Sequence, residues 1–386
     1  MGIFSQQELQ RRKSAFVEGL RDRRVDAALL NTADNVFYMT GVPLLSEWGR
    51  PMWAVFNADG PSAVIGSLIE AGNMERNAAT DEIVPYADEE NVVKASINLA
   101  TDFLRKGGRQ PRTVGIERRL IPLGLYEEIA ARFPEAKFVE IGDIVSDLRI
   151  VKSPEELRLL TLGADIAKLG ANAFLDAIHD NCTELEVAGH AVHEMNRALA
   201  GLYPSGATST YSYAHFGEHT ATPHNHPTGR RLRKGEVFAL NVFPVIWGYC
   251  MELERTYIFG TPSPKQAKVL AAVNEAFDAG KKAIGPGVAA CDIDKLTRRM
   301  LIERGYESGL YHGTGHAHGI MIGSAGREEG GELRLYNKTV LKPNMINSVE
   351  PAVFTDGVAF RHSDVMLISD GGAKCLTEFD RDLVYA

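Results

Sequence analysis

The sequence predicts an α/β N-terminal domain over residues 1–150 and an α+β C-terminal domain over residues 151–386. The length of 386 residues favours two or more domains, because single domains are usually shorter. Helical and strand-like patterns alternate up to residue 150, which is typical of an α/β domain. Beyond that point, long helical patterns flank a Gly-rich, strand-like region, which indicates helices around an antiparallel sheet.

The first domain opens with an amphipathic helix over residues 5–24, which is followed by a buried strand over residues 25–30. A polar turn at 31–35 then precedes the apolar run 36–42. The other predicted elements are short strands at 51–56 and 62–65 around the Asp59-Gly60 turn, helices at 89–106 and 123–133, and a strand at 113–117.

A helix N-terminus marks the predicted domain boundary. Ser153 is typical of an N-cap, Pro154 of the first helical position, and Glu155 and Glu156 of a first turn, where the helix dipole favours negative charge. The predicted helices of the second domain cover 154 to about 179, 184–200, 264–284 and 291–304, and its predicted strands cover 236–243, 248–259, 345–354 and 363–369.

Composition argues against several classes of protein. The net charge of −8 disfavours a nucleic-acid-binding protein, which needs a basic surface. The polar N-terminus lacks the apolar stretch of a signal peptide, and no segment approaches the roughly 20 apolar residues of a membrane helix. The four cysteines are widely spaced and form no CxxC pair, which favours reduced thiols. We therefore expect a cytoplasmic protein that binds neither membranes nor nucleic acids.

Polar side chains concentrate in a few otherwise apolar segments of the second domain. Burying Glu or His is unfavourable unless the group is partnered or functional. Glu252 and Glu254 alternate along a predicted strand and therefore lie on one face. Two such carboxylates repel unless a metal, a proton or a cationic ligand lies between them. The polar segments are 222–227, 239–244, 248–256, 311–319, 347–351 and 360–364.

These segments carry Gly248-Tyr249, Arg255-Thr256, Gly315-His316, Glu350-Pro351, Arg361 and Asp364. In this framework the chain resembles the creatinase/prolidase/methionine-aminopeptidase family, whose catalytic domain has the pita-bread fold. Its metal-binding members carry Asp, Asp, His, Glu and Glu at five positions, which here hold Asn241, Glu252, His316, Glu350 and Ser363. Because Asn241 and Ser363 are neutral, the set has too little negative charge for two divalent ions. The resemblance thus implies a pita-bread C-terminal domain and no metal cofactor.

Finer motifs resemble the metal-free creatinase branch of this family. They are Pro223-His224-Asn225, Leu240-Asn241-Val242-Phe243-Pro244, the segment 248–256, Gly315-His316-Ala317-His318-Gly319, the segment 326–334 and Trp48-Gly49-Arg50. The fold-level resemblance covers nearly the whole chain. It implies a metal-independent hydrolase that cleaves a C–N bond of a small substrate bearing a carboxylate and a cationic nitrogen.

The resemblance also implies a role for each matching residue. His224 would be the general base and acid, and Glu254 and Glu350 would hold the substrate cation through charge-assisted hydrogen bonds. Arg50, contributed by the other subunit of a homodimer, and Arg327 would bind the carboxylate, for which the planar guanidinium is suited. The remaining predicted substrate-binding residues are Trp48, Phe243, Glu252, His316 and His362.

Two departures from creatinase bear on the substrate. Ser363 stands where the branch has a second histidine, and His362 is one residue early, which on a strand turns the side chain to the opposite face. Glu252 adds a carboxylate that creatinase lacks. The substrate class, rather than creatine itself, is therefore predicted. His215, His219 and His226 match no position with a known role in the family, and we predict that they lie in loops or at the rim of the pocket.

Other functions remain open at this stage. The first is a metallopeptidase of the Xaa-Pro type with an altered metal site, because Glu252, His316 and Glu350 could still hold an ion. The second is a non-catalytic protein that binds a ligand without turning it over. A lyase acting on a related cationic substrate is a further alternative, which analysis of the products would distinguish from a hydrolase.

Overall fold

The computed structural model describes residues 3–43, 50–89, 91–202, 209–322 and 330–381. Contacts divide the chain into two units, Met1–Arg149 with Ile320–Gly326, and Ile150–Gly319 with Arg327–Ala386. Within the described ranges, no helix is both long enough and apolar enough to span a membrane.

The first unit contains a mixed sheet with the strand order β4-β3-β2-β1-β5-β6. Its strands are β1 (Ala27–Leu30), β2 (Trp53–Asn57), β3 (Ser62–Ser67), β4 (Glu82–Tyr86), β5 (Thr113–Ile116) and β6 (Lys137–Glu140). Its helices are α1 (Gln6–Asp22), α2 (Ala33–Thr40), α3 (Ala71–Asn77), α4 (Val92–Leu104), α5 (Leu123–Arg132) and α6 (Gly142–Ile150). Strand β1 pairs antiparallel with β2 and parallel with β5, and β2 forms an antiparallel hairpin with β3 across the predicted Asp59-Gly60 turn.

The elements of this unit that the sequence pattern did not predict are α2, α3, α6, β4 and β6. Two of them show why. The apolar run 36–42 lies largely in α2, whose residues from Asp34 to Thr40 are all buried, so the run has no polar face from which to recognise a helix. Strand β4 was not predicted because it contains Pro85. Proline, which has no backbone N–H to donate, is tolerated there because β4 is an edge strand and pairs with a neighbour on one side only.

The second unit contains two three-stranded antiparallel sheets, ordered β11-β8-β7 and β12-β15-β16, and two hairpins, β9–β10 and β13–β14. Its strands are β7 (Tyr211–Phe216), β8 (Val237–Phe243), β9 (Val245–Ile246), β10 (Tyr249–Cys250), β11 (Leu253–Ile258), β12 (Ile346–Val349), β13 (Ala352–Thr355), β14 (Val358–Arg361), β15 (Asp364–Ser369) and β16 (Gly372–Cys375). Its helices are α7 (Pro154–Asp176), α8 (Glu184–Leu202), α9 (Pro264–Ala283) and α10 (Ala290–Glu303).

Isolated bridges connect the two sheets of the second unit at the polar segments. Glu254 on β11 bridges Ser363, which directly precedes β15. Ala317 bridges Asn347 on β12. These bridges bring the segments around residues 254, 317, 347 and 363 together, although they are far apart in sequence.

Helix α7 begins at the predicted residue with a capping box. The Ser153 hydroxyl accepts a hydrogen bond from the Glu156 N–H, and the Glu156 carboxylate accepts one from the Ser153 N–H at 2.8 Å. The second oxygen of Glu156 accepts a hydrogen bond from the Tyr249 hydroxyl at 2.8 Å. The N-terminus of α7 is therefore fixed to β10, close to the strand that carries Glu252 and Glu254.

We predict that Ser153→Ala lowers the free energy of unfolding by about 1 kcal/mol, because the substitution leaves the buried Glu156 N–H without its acceptor. Urea unfolding followed by circular dichroism measures the change. Ser263→Ala is a matched control, since Ser263 forms the same capping box at α9 but is exposed to water. Water can replace the lost hydroxyl there, so an equal or larger loss in the Ser263 variant would contradict the prediction.

Candidate active site

One face of the β11-β8-β7 sheet carries the site. Glu254 on β11 lies opposite Asn241 on β8, and Asn241 lies opposite Tyr213 on β7. Phe243 shares the face of Asn241 because strand side chains alternate. Glu252 directly precedes β11, and one of its oxygens lies within 4.8 Å of an oxygen of Glu254. The sheet register therefore places Glu254 beside an amide and aromatic residues on the next two strands.

Strand β12 supplies the third carboxylate. Glu350 follows β12 directly, and its N–H donates to the Thr314 carbonyl at 2.6 Å. One oxygen each of Glu252, Glu254 and Glu350 lie within 4.8 Å of one another, and all three residues are buried. Such a group of carboxylates is unfavourable unless positive charge or protons compensate it.

Two histidines of the 314–319 segment face these carboxylates. The His316 N–H donates to the Ser348 hydroxyl, and the Ser348 N–H donates to the His316 carbonyl, which fixes this segment to β12. The Nε2 atom of His316 lies 3.3 Å from Glu350 and 3.5 Å from Glu252. The Nε2 atom of His318 lies 3.6 Å from the other oxygen of Glu252.

Arg361, at the end of β14, contributes a permanent positive charge. Its guanidinium lies 2.7 Å from Glu254 and 3.6 Å from Glu350, so it links the two. Burial alone would raise the pKa of Glu350, but the basic groups His312, His316 and Arg361 around it hold that pKa below its usual value. Glu350 is therefore ionised at neutral pH.

A second arginine fixes the backbone beneath the site. Arg255 is fully buried and forms an ion pair with Asp364 at 2.7 Å. It also donates to the carbonyls of Glu254 and Ser363, the two residues of the inter-sheet bridge. Lys281 forms an ion pair with the second oxygen of Asp364. The positions of Glu254 and Ser363 thus depend on a buried, fully hydrogen-bonded charge pair.

The side chains at the family's metal-ligand positions do not fit a two-metal centre. The Asn241 amide donates to the Tyr213 carbonyl at 2.9 Å, and the Ser363 hydroxyl donates to Glu252 at 2.8 Å. A ligand to a divalent ion must offer a lone pair, and bridging ligands must also bring negative charge. A group of three ligand atoms suitable for one ion does occur among the described residues, from Glu252, His316 and His318.

The other predicted site residues lie in different environments. His224 is exposed on a turn after β7, and Phe243 stacks on Tyr211 with ring centroids 4.6 Å apart. His362 is fully buried against Phe277 and accepts a hydrogen bond from the Thr256 N–H, on the opposite side of the strand from Ser363. Its burial and the charge of Arg255 lower its pKa well below the usual value, so it is neutral. These surroundings do not favour the substrate-binding role predicted for His362.

Of the two arginines predicted to bind the substrate carboxylate, Arg50 lies within the described part of the chain and Arg327 does not. Arg50 forms an ion pair with Asp88 at 2.6 Å in the first unit. Trp48 and Arg327 lie outside the described residues.

Residues that the sequence interpretation left without a role also contribute. His318 faces Glu252, and the alternation of His316 and His318 along one extended segment was the available signal. Ser348 positions the backbone of His316, for which no sequence signal existed.

Comparison with known proteins agrees with this architecture. The profile of the Creatinase/Prolidase N-terminal domain matches residues 12–151, and that of Metallopeptidase family M24 matches residues 158–370. The chain is 29% identical to a creatinase from Bacillus sp. (strain B-0618) over 97% of this chain and 92% of the relative. A prolidase from Thermococcus sibiricus superimposes with a TM-score of 0.85 at 24% identity, covering 97% and 98% of the two chains. For a Xaa-Pro dipeptidase from Bacillus anthracis the TM-score is 0.83 at 23% identity, covering 97% and 99%.

The chain belongs to the metallopeptidase family M24 and is a hydrolase of that family. The predicted fold, an α/β N-terminal domain and a pita-bread C-terminal domain, is confirmed. The proteins compared include a creatinase and, among the solved structures of the same fold, a Xaa-Pro dipeptidase, so the comparison does not select a substrate.

We predict that His312 makes the protein sensitive to acid. Burial lowers the pKa of His312 to about 4, and the attraction of Glu350 at 3.8 Å does not offset this effect. The unfolded state, with a histidine pKa of about 6.5, therefore binds more protons, and stability falls as the pH drops from about 6.5 to 4. His312→Asn removes this titrating group. The free energy of unfolding of the wild-type protein should therefore fall by up to about 3 kcal/mol more than that of the variant across that pH window. Urea unfolding at a series of pH values measures it, and parallel pH dependences would contradict it.

Proposed function

We propose that the protein is a metal-independent hydrolase that cleaves a C–N bond of a small substrate bearing a carboxylate and a cationic nitrogen. The observation that carries the proposal is the charge compensation of Glu252, Glu254 and Glu350 by groups of the protein itself. Arg361 supplies positive charge to Glu254 and Glu350, and the His316 ring lies against Glu350 and Glu252. Asn241 and Ser363 offer hydrogen-bond donors where a two-metal centre needs anionic ligands.

The remaining charge supports a cationic substrate. Three carboxylates bring three negative charges, and Arg361 supplies one permanent positive charge. The carboxylates therefore outnumber the permanent cations beside them in the described part of the chain, and a guanidinium or a substituted ammonium group would compensate the difference. Hydrogen bonds between such a cation and buried carboxylates are short and strong, which gives the site selectivity for cations over neutral amides.

The proposed reaction needs a base that later acts as an acid. His224 would take a proton from water while the water oxygen bonds to the substrate carbon. As the C–N bond breaks, the same imidazole would return the proton to the leaving nitrogen. The spacing between His224 and Glu254 and the resemblance to creatinase support this role. Arg327 and Arg50 of a second copy remain the predicted carboxylate-binding residues.

A second candidate function is a peptidase of the Xaa-Pro type that uses one divalent ion. The specific observation in its favour is the group of Glu252, His316 and His318, whose ligand atoms lie within 4.8 Å of one another. An ion bound there would polarise a carbonyl group or a water molecule. At identities below 25%, the likeness to the prolidase and to the Xaa-Pro dipeptidase indicates a shared fold and does not select between the two candidates.

The two candidates differ in metal content and in substrate. Protein purified without added metal is analysed by mass spectrometry for manganese, iron, cobalt and zinc. The same sample is assayed on guanidino acids, on carboxylates with substituted ammonium groups, and on Xaa-Pro dipeptides, each with and without chelator. We expect far less than one equivalent of metal and hydrolysis of a cationic acid that the chelator leaves unchanged. A stoichiometric ion together with chelator-sensitive dipeptide cleavage would overturn the proposal in favour of the peptidase.

We predict that His224→Asn lowers kcat on the substrate found in this screen by a factor of about 10² to 10⁴, the usual contribution of general acid–base catalysis. Binding of the substrate, measured by isothermal titration calorimetry, should remain within a few-fold of wild type, because the carboxylates are unchanged. His226→Asn, in the same exposed turn, is the matched control and should retain activity. Equal losses in both variants would indicate a disturbed turn rather than a lost base.

A further inference from the structure

His215 on β7 is a buried histidine whose two ring nitrogens have different surroundings. It lies opposite Ala239 on β8, so its side chain shares the sheet face of Asn241 and Glu254. The residue is 1% exposed. Its Nε2 atom lies 2.8 Å from the carbonyl oxygen of Asn225, the residue that follows His224.

This contact determines which ring nitrogen of His215 carries the proton. A carbonyl oxygen only accepts hydrogen bonds, so Nε2 must carry the hydrogen. Burial, together with the positive charge of Arg361, lowers the pKa of His215, which keeps the ring neutral. The Nδ1 atom of a neutral ring protonated at Nε2 is an acceptor with an available lone pair.

The Nδ1 atom lacks a donor within the described part of the chain. It is buried and has no hydrogen-bond partner there. A buried acceptor without a donor is unfavourable by about as much as a lost hydrogen bond. The other side of the ring is already satisfied by Asn225, so the structure leaves one directed acceptor on this face of the sheet.

A small cavity adjoins His215, and its lining includes apolar residues, among them Ala352, Phe354 and Ala359, as well as polar ones. Its volume is about 20 Å³, and its lining includes His215, Asn241, Thr256, Arg361 and Pro223. A water molecule needs roughly 10–15 Å³ of such space and two to four polar partners. The amide nitrogen of Asn241 donates to Tyr213, so its side-chain oxygen remains as a second acceptor. Pro223 directly precedes His224, so the cavity adjoins the turn that carries the proposed base.

We propose that His215 is a further catalytic residue, whose Nδ1 atom accepts a hydrogen bond from the water molecule consumed in hydrolysis, held in the cavity beside Asn241. The hydrogen bond to His215 would use one hydrogen of this water. The other hydrogen, which the Asn241 oxygen can accept in the resting enzyme, would pass to His224 as an oxygen lone pair bonds to the substrate carbon. The inference rests on the proposed hydrolytic function and deepens it, because it assigns the place of the nucleophile.

Two substitutions separate this role from a purely structural one. In His215→Gln, the amide nitrogen reaches the position of Nε2 and can still donate to Asn225, while the acceptor at the Nδ1 position is lost. In His215→Asn, the amide group lies at the Nδ1 position, where its oxygen can accept, and the bond to Asn225 is lost.

We expect His215→Gln to lower kcat by about 100-fold with KM within a factor of about two, at a melting temperature close to that of wild type. His215→Asn should keep more of kcat than His215→Gln and melt at a lower temperature. The reverse order, an active Gln variant and an inactive Asn variant, would show that His215 only anchors the turn. His179→Asn is the matched control, because the Nδ1 atom of His179 also contacts a backbone carbonyl, that of Asp180, and His179 has no role in the proposed mechanism.

A high-resolution crystal structure of the wild-type protein tests the water directly. We expect a water oxygen about 3 Å from the Nδ1 atom of His215, and its loss in the His215→Gln variant. A ring nitrogen bonded to a protein donor, or a dry cavity, would overturn the inference. If no cationic acid is hydrolysed, the proposed function is wrong, and the crystal structure still shows whether the water site exists. Wild-type kcat in His215→Gln would overturn this inference while leaving the proposed function intact.

Discussion

The structure of the second unit depends on keeping three carboxylates close together in a buried place. Two unit charges 4.8 Å apart repel by roughly 3 kcal/mol at an effective dielectric constant of about 20, and Glu252, Glu254 and Glu350 form three such pairs. The inter-sheet bridge between Glu254 and Ser363 and the Arg255–Asp364 ion pair hold the chain in this arrangement. Arg361, His316 and His318 lie against this cluster, and the fixed charge of Arg361 offsets part of the repulsion.

The direction of the hydrogen bonds distinguishes this site from one built around two metal ions. A carboxylate at position 241 or 363 would add a fourth negative charge and a lone pair for an ion. Asn241 instead turns its amide N–H groups toward a backbone carbonyl, and Ser363 turns its hydroxyl hydrogen toward Glu252. The hydrogen bond from Ser363 favours the ionised carboxylate of Glu252, as a nearby positive ion would. The same fold can therefore hold its acidic cluster by internal hydrogen bonds and imidazoles.

The sequence was sufficient for the features that depend on local pattern or on short motifs. The start of α7 at Ser153 followed from capping chemistry, and the proximity of Glu252 and Glu254 was expected from strand alternation. The same alternation also explains why His362 faces Phe277 while Ser363 faces Glu252. The edge strand β4 was missed because Pro85 weakens a strand pattern unless the strand's place in the sheet is known. The contacts of His318 and His215 could not be predicted, because each depends on pairing between segments distant in sequence.

The roles of the histidines follow from their different electrostatic environments rather than from their number. The Nε2 atoms of His316 and His318 lie 3.3 to 3.6 Å from carboxylate oxygens. For His215, on the face of the β11-β8-β7 sheet that carries Glu254, burial lowers the pKa, with a smaller effect from the charge of Arg361, and keeps the ring neutral. Arg361 itself lies against Glu254 as a permanent cation. In the mechanism that we propose, the ionic groups of this pocket would bind the cation while the neutral imidazole of His215 would hold the water.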